Sequence, residues 1–496
     1  MSGLEFLYKR YRTILGYSGI IFIGVGISLL LPLLLIPIYP YKLNEIKAFL
    51  LSSFISIVLG IILKRNLKKG NDNSLSMQEG GIIVLVSWVG AVFLSALPFV
   101  FSGDLNLVQA VFETTSGYTT TGLSVVDVAN ASHMVLLWRS IMQFLGGVGL
   151  IVIMLSMIIG PDGLGLYNAE GRSDKLVPHI RKTTSMIMII YISYIVAGVL
   201  LYVIAGMPLF DSINHSIAAV STGGFSTKVE SIGYYDSVAI ELITIILMLL
   251  GTINFAAHAI LWKGKVKEFI QIGEFKMLMF CLAFSTPIVL YFTTLDMFTD
   301  FSKSLRVAIF EIVSAISTTG FSTVPYFDWN DLGVFMLTFV MLIGGGTGST
   351  AGGIKQYRVY VLLKTLWWDI KGFLLPKNAV KQHYINRPEG RYYINDKHRS
   401  EVSTILVIYL LMFVISIIIL MGYGYGLRES MFEIASCLST VGLSIGITSP
   451  DAKSGVLITE TIMMFLGRLE FLVVFYSLMK LYRDFKFILS KRKENI

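Results

Sequence analysis

The residues of this chain best suited to chemistry are four short runs of hydroxyl side chains, each closed by glycine. They are Thr119-Thr120-Thr121-Gly122, Ser221-Thr222-Gly223-Gly224, Ser317-Thr318-Thr319-Gly320 and Ser439-Thr440-Val441-Gly442. Such runs offer neutral oxygens: backbone carbonyls, with Thr and Ser hydroxyls beside them. Glycine supplies the backbone freedom that turns carbonyls to one side. Rings of carbonyl oxygens replace the hydration shell of a large monovalent cation such as K⁺. Catalytic constellations are lacking: none of the six histidines stands in a metalloprotease spacing, and no carboxylate pair or His/Cys cluster gathers at one depth. Cys281 and Cys437 both lie in apolar runs and give no disulfide framework or metal-ligand pair.

The elements that must position these runs are membrane spans. The chain is 54% hydrophobic and only 15% charged, with mean hydropathy +0.72. A soluble protein of 496 residues would need more charge to cover its surface. Apolar stretches of bilayer length recur near 14–36, 46–63, 80–101, 133–160, 184–207, 237–262, 276–295, 332–363, 403–422 and 455–479, about ten spans in all. The first is too long for a signal-peptide core and reads as a span.

The four runs sit in copies of one motif: FETTSGYTTTGLS from Phe112, NHSIAAVSTGGFS from Asn214, FEIVSAISTTGFS from Phe310 and FEIASCLSTVGLS from Phe432. Each copy lies between two spans, so the unit is span, half-helix, Gly-containing strand, span, occurring four times. Non-helical backbone is tolerated at membrane depth where it lines a cavity. Four half-helices would aim their carbonyl ends, each carrying roughly half a negative charge, at a common axis and favour a cation there. The expected fold is an all-α membrane protein: four span–pore loop–span repeats in pseudo-four-fold arrangement around one pore, plus two N-terminal spans. The expected units are 1–75 (the N-terminal pair), 76–170, 171–270, 271–375, a loop at 376–399, and 400–496.

Basic residues cluster at the N-terminus, at 64–69, 172–182, 263–276 and 355–399, and at the C-terminus. With ten spans and the N-terminus inside, all of these fall on the cytoplasmic side, as the positive-inside rule requires. The formal charge of +8 is thereby a topological feature and not a nucleic-acid footprint.

Within the third repeat the second span is interrupted by Gly344-Gly345-Gly346-Thr347-Gly348-Ser349-Thr350-Ala351-Gly352-Gly353. Each glycine costs roughly 1 kcal/mol against alanine in a helix. The run therefore reads as an unwound intramembrane loop, a flexible gate below the filter. Gly344, Gly348 and Gly352 also carry small-residue spacing for tight helix packing. A phosphate-binding loop is a third reading, but no strand precedes the run and no GK[ST] follows it. Arg468, mid-span in the fourth repeat, is expected to line the pore near this loop and raise the barrier to cations; a carbonyl-capped or paired Arg tying helices together is the alternative. Glu113, Glu311 and Glu433 occupy one aligned position, with His215 in the second repeat. A first-turn location supporting the filter amides, or direct ion contact, would each account for them. Arg139, Asn254 and His258 read as intramembrane polar packing.

These segments resemble the Trk/Ktr/HKT superfamily and, within it, the bacterial TrkH type of potassium-uptake protein. So do Trp138-Arg139, Gln143 to Leu150, Gly233 to Ser237, Asn254 to His258, Gly344 to Lys355 and Gly467 to Glu470. Within that superfamily the two extra N-terminal spans favour the TrkH type over the shorter KtrB type. The resemblance implies K⁺ as the transported ion, a homodimer with one pore per subunit, and a cytoplasmic TrkA-type nucleotide-binding regulatory ring. It implies the cytoplasmic (inner) membrane as the location and no organic cofactor on this chain. Glycine at all four aligned positions supports K⁺ over Na⁺. One aligned glycine per strand, against the two of tetrameric K⁺ channels, implies weaker selectivity. A Na⁺-coupled or less selective relative of the same fold is the rival reading. A regulatory ring would dock on Lys355–Arg399 and on loops near 64–75 and 170–182; the same basic loop could instead anchor on acidic membrane lipid.

Overall fold

The computed structural model describes residues 3–67, 77–149, 180–374 and 382–494. The expected docking segments near 68–75 and 170–179, and residues 375–381, lie outside these.

Two helices, Gly3–Ser28 and Leu43–Lys64, form an N-terminal pair. They approach closely because glycines face each other: a Cβ on Gly19 would lie 2.7 Å from the Gly60 carbonyl, and one on Gly60 would lie 2.6 Å from that of Gly19. The Ser53 hydroxyl donates to the Gly26 carbonyl at 2.7 Å. Small residues and such bonds are what hold helices together where lipid removes the hydrophobic drive.

Four repeats follow. Their first spans are Met77–Ser102, Ile180–Ile204, Gly273–Val289 continued by a π turn at Leu290–Thr294, and Asp396–Gly422. Each leads into a half-helix: Leu107–Tyr118, Leu209–Val220, Phe301–Ser317 and Leu427–Leu438. The sequence starts these where capping predicts. Asn106 and Gln109 form a reciprocal capping box, and Asp300 accepts from the Ser302 and Lys303 amides. The buried faces of these helices are mostly apolar or hydroxyl-bearing, with Glu113, His215, Glu311 and Glu433 among the buried exceptions, and their final turns are fully enclosed.

The second spans are less regular than their hydropathy suggests. Six helices among the described residues are long and apolar enough to cross a bilayer unbroken. The second spans of repeats 2 and 4, expected as continuous over 237–262 and 455–479, are instead bent by 109° and 101°. The first bend falls at Ile253-Asn254, where the Asn254 side chain caps the next helix through the Ala256 amide. The second falls at Glu470, whose φ of 62° interrupts the helix. In repeat 3 the span stops after Asp331–Ile343 and resumes as Gln356–Phe373. In repeat 1 the described helix is His133–Val148.

The segment expected as a loop over 376–399 holds a small antiparallel hairpin, Tyr384–Arg387 with Gly390–Tyr393. Tyrosines on both arms, Ile385 on the first and Pro388-Glu389 at the turn account for it. Ile385 and Ile394 pack there with Tyr357, Val361 and Val402. The architecture is all-α with that single described hairpin.

Candidate functional site: the axis of the four repeats

Each half-helix ends in the same way. One or two residues after its last turn the chain adopts a left-handed conformation: Thr120, Thr222, Thr318 and Thr440 have φ of 53°, 51°, 53° and 53°. Helices commonly close with a left-handed residue that returns an amide to the last turn, but glycine normally fills the position. Here the amides of Thr121, Gly223, Thr319 and Val441 return to the carbonyls of Ser116, Ala218, Ser314 and Ser436 at 2.8–3.1 Å. A β-branched residue at positive φ costs about 1–3 kcal/mol. That strain recurs four times at equivalent positions of the repeat.

Two residues on, Gly122, Gly224, Gly320 and Gly442 are again left-handed, with φ of 98°, 70°, 84° and 96°. Their surroundings close a ring. A Cβ on Gly122 would lie 2.3 Å from the carbonyl oxygen of Gly223. One on Gly224 would lie 2.0 Å from that of Thr319, one on Gly320 2.0 Å from that of Val441, and one on Gly442 2.0 Å from that of Thr121. Each strand thus presses its glycine against the carbonyl of the next, and the fourth returns to the first. Four strands distant in sequence meet around one axis, and any side chain at these glycines collides with a carbonyl of the ring.

Above the ring the glycines border a single cavity of about 770 Å³, walled also by Ser124, Asp127, Arg139, Lys228, Glu230 and Thr448. Behind the strands, the aligned acidic residues hold the returning chain. Glu113 accepts from the Val125 amide at 2.9 Å and the Ser124 hydroxyl at 3.0 Å. Glu311 accepts from the Thr323 amide and hydroxyl at 2.8 and 2.7 Å, and from Tyr326. Glu433 accepts from Ser444, Ile445 and Thr448. His215 does the same through Ser226 at 2.9 Å. All four are fully buried. These residues lie in the middle or later turns of their helices and not in the first turn, so they act by bonding the strand rather than by complementing the helix N-terminus.

Arg139, read from sequence as polar packing, joins two repeats: it pairs with Glu113 at 2.8 Å, donates to the Ser226 carbonyl at 3.1 Å and stacks over Phe225 at 4.0 Å. Asn254 caps a helix, and His258 bonds the Leu250 carbonyl at 2.9 Å and Tyr194 at 3.0 Å.

Below the ring lies the run Gly344–Gly353, in non-helical conformation. Its contacts reach strands 2, 3 and 4. The Gly352 amide donates to the Thr318 hydroxyl at 2.8 Å, Thr350 and Thr222 hydroxyls meet at 3.1 Å, and a Cβ on Gly352 would lie 2.2 Å from the Ser439 carbonyl. The Gly346 amide donates to the Thr252 carbonyl at 3.0 Å, the Thr347 amide to Glu274 at 2.8 Å, and the Ser349 hydroxyl to the Gly346 carbonyl at 2.7 Å. Gly344, Gly348 and Gly353 have φ of 69°, 69° and 81°, which excludes the helical small-residue packing. Gly345 closes on Gly352 by a backbone bond of 3.1 Å. The Thr120 and Thr440 hydroxyls, those of the two left-handed threonines without a loop bond, have no hydrogen-bond partner among the described residues.

Arg468 donates to the Thr350 carbonyl of this run and to the Gly146 carbonyl of repeat 1, each at 2.6 Å. It bridges the loop to the one repeat whose strand the loop does not reach. Glu470 does not pair with it; Glu470 holds Arg358 through two contacts of 2.8 Å. Lys355, which sequence reasoning counted only as a basic residue of the loop, caps the Ala351 carbonyl. Its place immediately after the glycine run was the available signal. Glu460 was also missed: it is fully buried and shares the Thr448 hydroxyl with Glu433.

The comparisons with known proteins agree with this geometry. Residues 45–483 match the model of the TrkH family, described as cation transport protein. The chain belongs to the TrkH family. An uncharacterized cation transporter of Methanocaldococcus jannaschii is 32% identical over 478 residues, covering 96% of both chains. The Trk system potassium uptake protein TrkH of Salmonella typhimurium is 31% identical, covering 93% of this chain and 97% of its own. The crystal structure of the potassium transporter TrkH from Vibrio parahaemolyticus superposes with a TM-score of 0.81 at 26% identity, covering 95% of this chain and 98% of that one. This TrkH-family chain is therefore a multi-pass cation transport protein and not an enzyme, and its fold is that of a solved family member.

Proposed function

We propose that this TrkH-family protein takes up K⁺ along the axis of the four strands, through a filter formed by residues 119–122, 221–224, 317–320 and 439–442. The observation that carries the reading is the closed ring of four glycines against four neighbouring carbonyls. Carbonyl oxygens of the ring replace water around the ion, and the strained threonines add hydroxyl oxygens at its inner end. The half-helix C-termini supply the negative potential that holds a cation there.

The loop 344–353 is the gate. It fills the space beneath the filter and is fastened to strands 2 and 3 by single hydrogen bonds, each of which can exchange for water. Arg468 and Lys355 place two cationic groups against its carbonyls, which both closes the loop and opposes a cation in transit. The basic clusters put this end in the cytoplasm. There a TrkA-type regulatory ring acts on the Gln356–Phe373 helix and the 384–393 hairpin that packs on it. The chain works as a homodimer in the cytoplasmic membrane, and the relatives named above lend the potassium assignment their support.

The test is tracer flux into proteoliposomes. Uptake of K⁺ in preference to Na⁺, and its loss in Gly320→Ala, is expected. Undiminished selective uptake by Gly320→Ala would end the assignment of the ion path.

A further inference from the structure

The second spans carry an aligned motif of their own: Gln143-Phe144-Leu145-Gly146, Met248-Leu249-Leu250-Gly251, Met341-Leu342-Ile343-Gly344 and Met464-Phe465-Leu466-Gly467. In three repeats the glycine closes on the last carbonyl of its own half-helix. A Cβ there would lie 1.9 Å from Tyr118 O, 2.7 Å from Val220 O and 2.0 Å from Leu438 O. The position three residues earlier is therefore equivalent in space as well as in sequence. Methionine fills it in three repeats and glutamine in one, and all four are fully buried.

That glutamine donates its amide to the carbonyl of Gly223, one of the four carbonyls of the ring. It also explains an irregularity in the filter. The residue before the ring glycine is Thr121, Thr319 or Val441 in strands 1, 3 and 4, but Gly223 in strand 2. A Cβ on Gly223 would lie 2.5 Å from the Gln143 carboxamide carbon. The amide thus occupies the space that a side chain on strand 2 would need.

The other strands have anchors of their own. The Thr119 and Thr121 hydroxyls bond at 2.7 Å, as do those of Ser317 and Thr319. Ser439 bonds Tyr409 at 2.7 Å, and Val441 is packed in the core. Strand 2, with two consecutive glycines, has no side chain at this position to hold its carbonyl. Two consecutive glycines have the widest backbone freedom in the filter.

We infer that Gln143 is a positioning residue for ion selectivity: it replaces the missing side-chain anchor of strand 2 and fixes the Gly223 carbonyl at the distance suited to K⁺. The carbonyl has a second lone pair, so accepting this amide leaves it able to face the ion. Released from the amide, the carbonyl can swing toward a smaller ion, and discrimination against Na⁺ falls. The inference rests on the four strands being the ion path.

The experiment is a mutant cycle read as K⁺ and Na⁺ flux in proteoliposomes of the purified full chain. Gln143→Met keeps length and burial and supplies the residue of the other three repeats. It is expected to raise Na⁺ flux relative to K⁺ about fivefold, the ratio one net hydrogen bond commands, while K⁺ flux persists. Gly223→Thr alone sets a Cβ against the amide and abolishes flux. Gln143→Met with Gly223→Thr gives strand 2 the threonine of strands 1 and 3 and the methionine of the other three second spans, and restores both flux and selectivity. A Gln143→Met protein with unchanged selectivity overturns the inference, and so does a double variant no better than Gly223→Thr. Wild-type flux separates the two levels. Selective wild-type K⁺ flux with an indifferent Gln143→Met sinks this inference alone, whereas no wild-type K⁺ flux sinks the ion path beneath it.

Discussion

Arg468 gives the gate its most measurable test. Its guanidinium donates to the Thr350 carbonyl inside the loop and to the Gly146 carbonyl of the neighbouring repeat 1, both at 2.6 Å. Hydrogen bonds from a charged donor contribute about 1.5–3 kcal/mol each, and those at the low end sum to about 3 kcal/mol holding the loop closed. Because about 1.4 kcal/mol is tenfold, complete loss would shift the closed–open balance by roughly a hundredfold. Water replacing the guanidinium at the freed carbonyls lowers that ceiling, so Arg468→Gln is expected to raise K⁺ flux about tenfold. Arg468→Lys keeps the charge but not the two-pronged fork, and should fall between. The assay is initial-rate tracer uptake at equal reconstituted protein, with size-exclusion profiles confirming that each variant stays assembled. Flux at or below wild type for a well-assembled Arg468→Gln would refute the gate role and leave Arg468 as a tie between repeats.

Further expectations follow from the same geometry. Gly442→Ala puts a methyl 2.0 Å from the Thr121 carbonyl and should abolish selective K⁺ uptake while leaving a folded protein, checked by binding-independent thermal unfolding. Arg139→Met strands the fully buried Glu113 carboxylate; breaking such a pair costs about 3–5 kcal/mol, so the unfolding temperature in detergent should drop sharply, and an unchanged one would contradict the pairing. Thr318→Val removes the acceptor of the Gly352 amide and should increase flux less than Arg468→Gln does, since one neutral bond of about 1 kcal/mol is lost. Glu470→Gln and Arg358→Gln should be non-additive in unfolding temperature, because the two side chains share two contacts of 2.8 Å.

Much of the four-strand ring was legible because repetition marks it. The alignment of Gly122, Gly224, Gly320 and Gly442 needs only the sequence, and flanking apolar runs place each copy between spans. The break at Gly344–Gly353 was legible for a local reason: so many glycines cannot sustain a helix. The bends at Asn254 and Glu470 were not, because a 109° or 101° turn in an apolar run depends on what the bend packs against and not on hydropathy. The hairpin at 384–393 was hidden by the basic charge that surrounds it.

The chain alone fixed which residues recur, how many times, and between which spans, since periodicity and hydropathy are local quantities. Partnerships were settled only by the three-dimensional arrangement: Gly442 against Thr121, Arg468 across to Gly146, Gln143 onto Gly223. Those pairs lie 80 to more than 300 residues apart. Quasi-symmetry says that equivalent strands meet, but which side chain fills the gap behind each one depends on the packing of neighbouring repeats, and no single repeat contains that information.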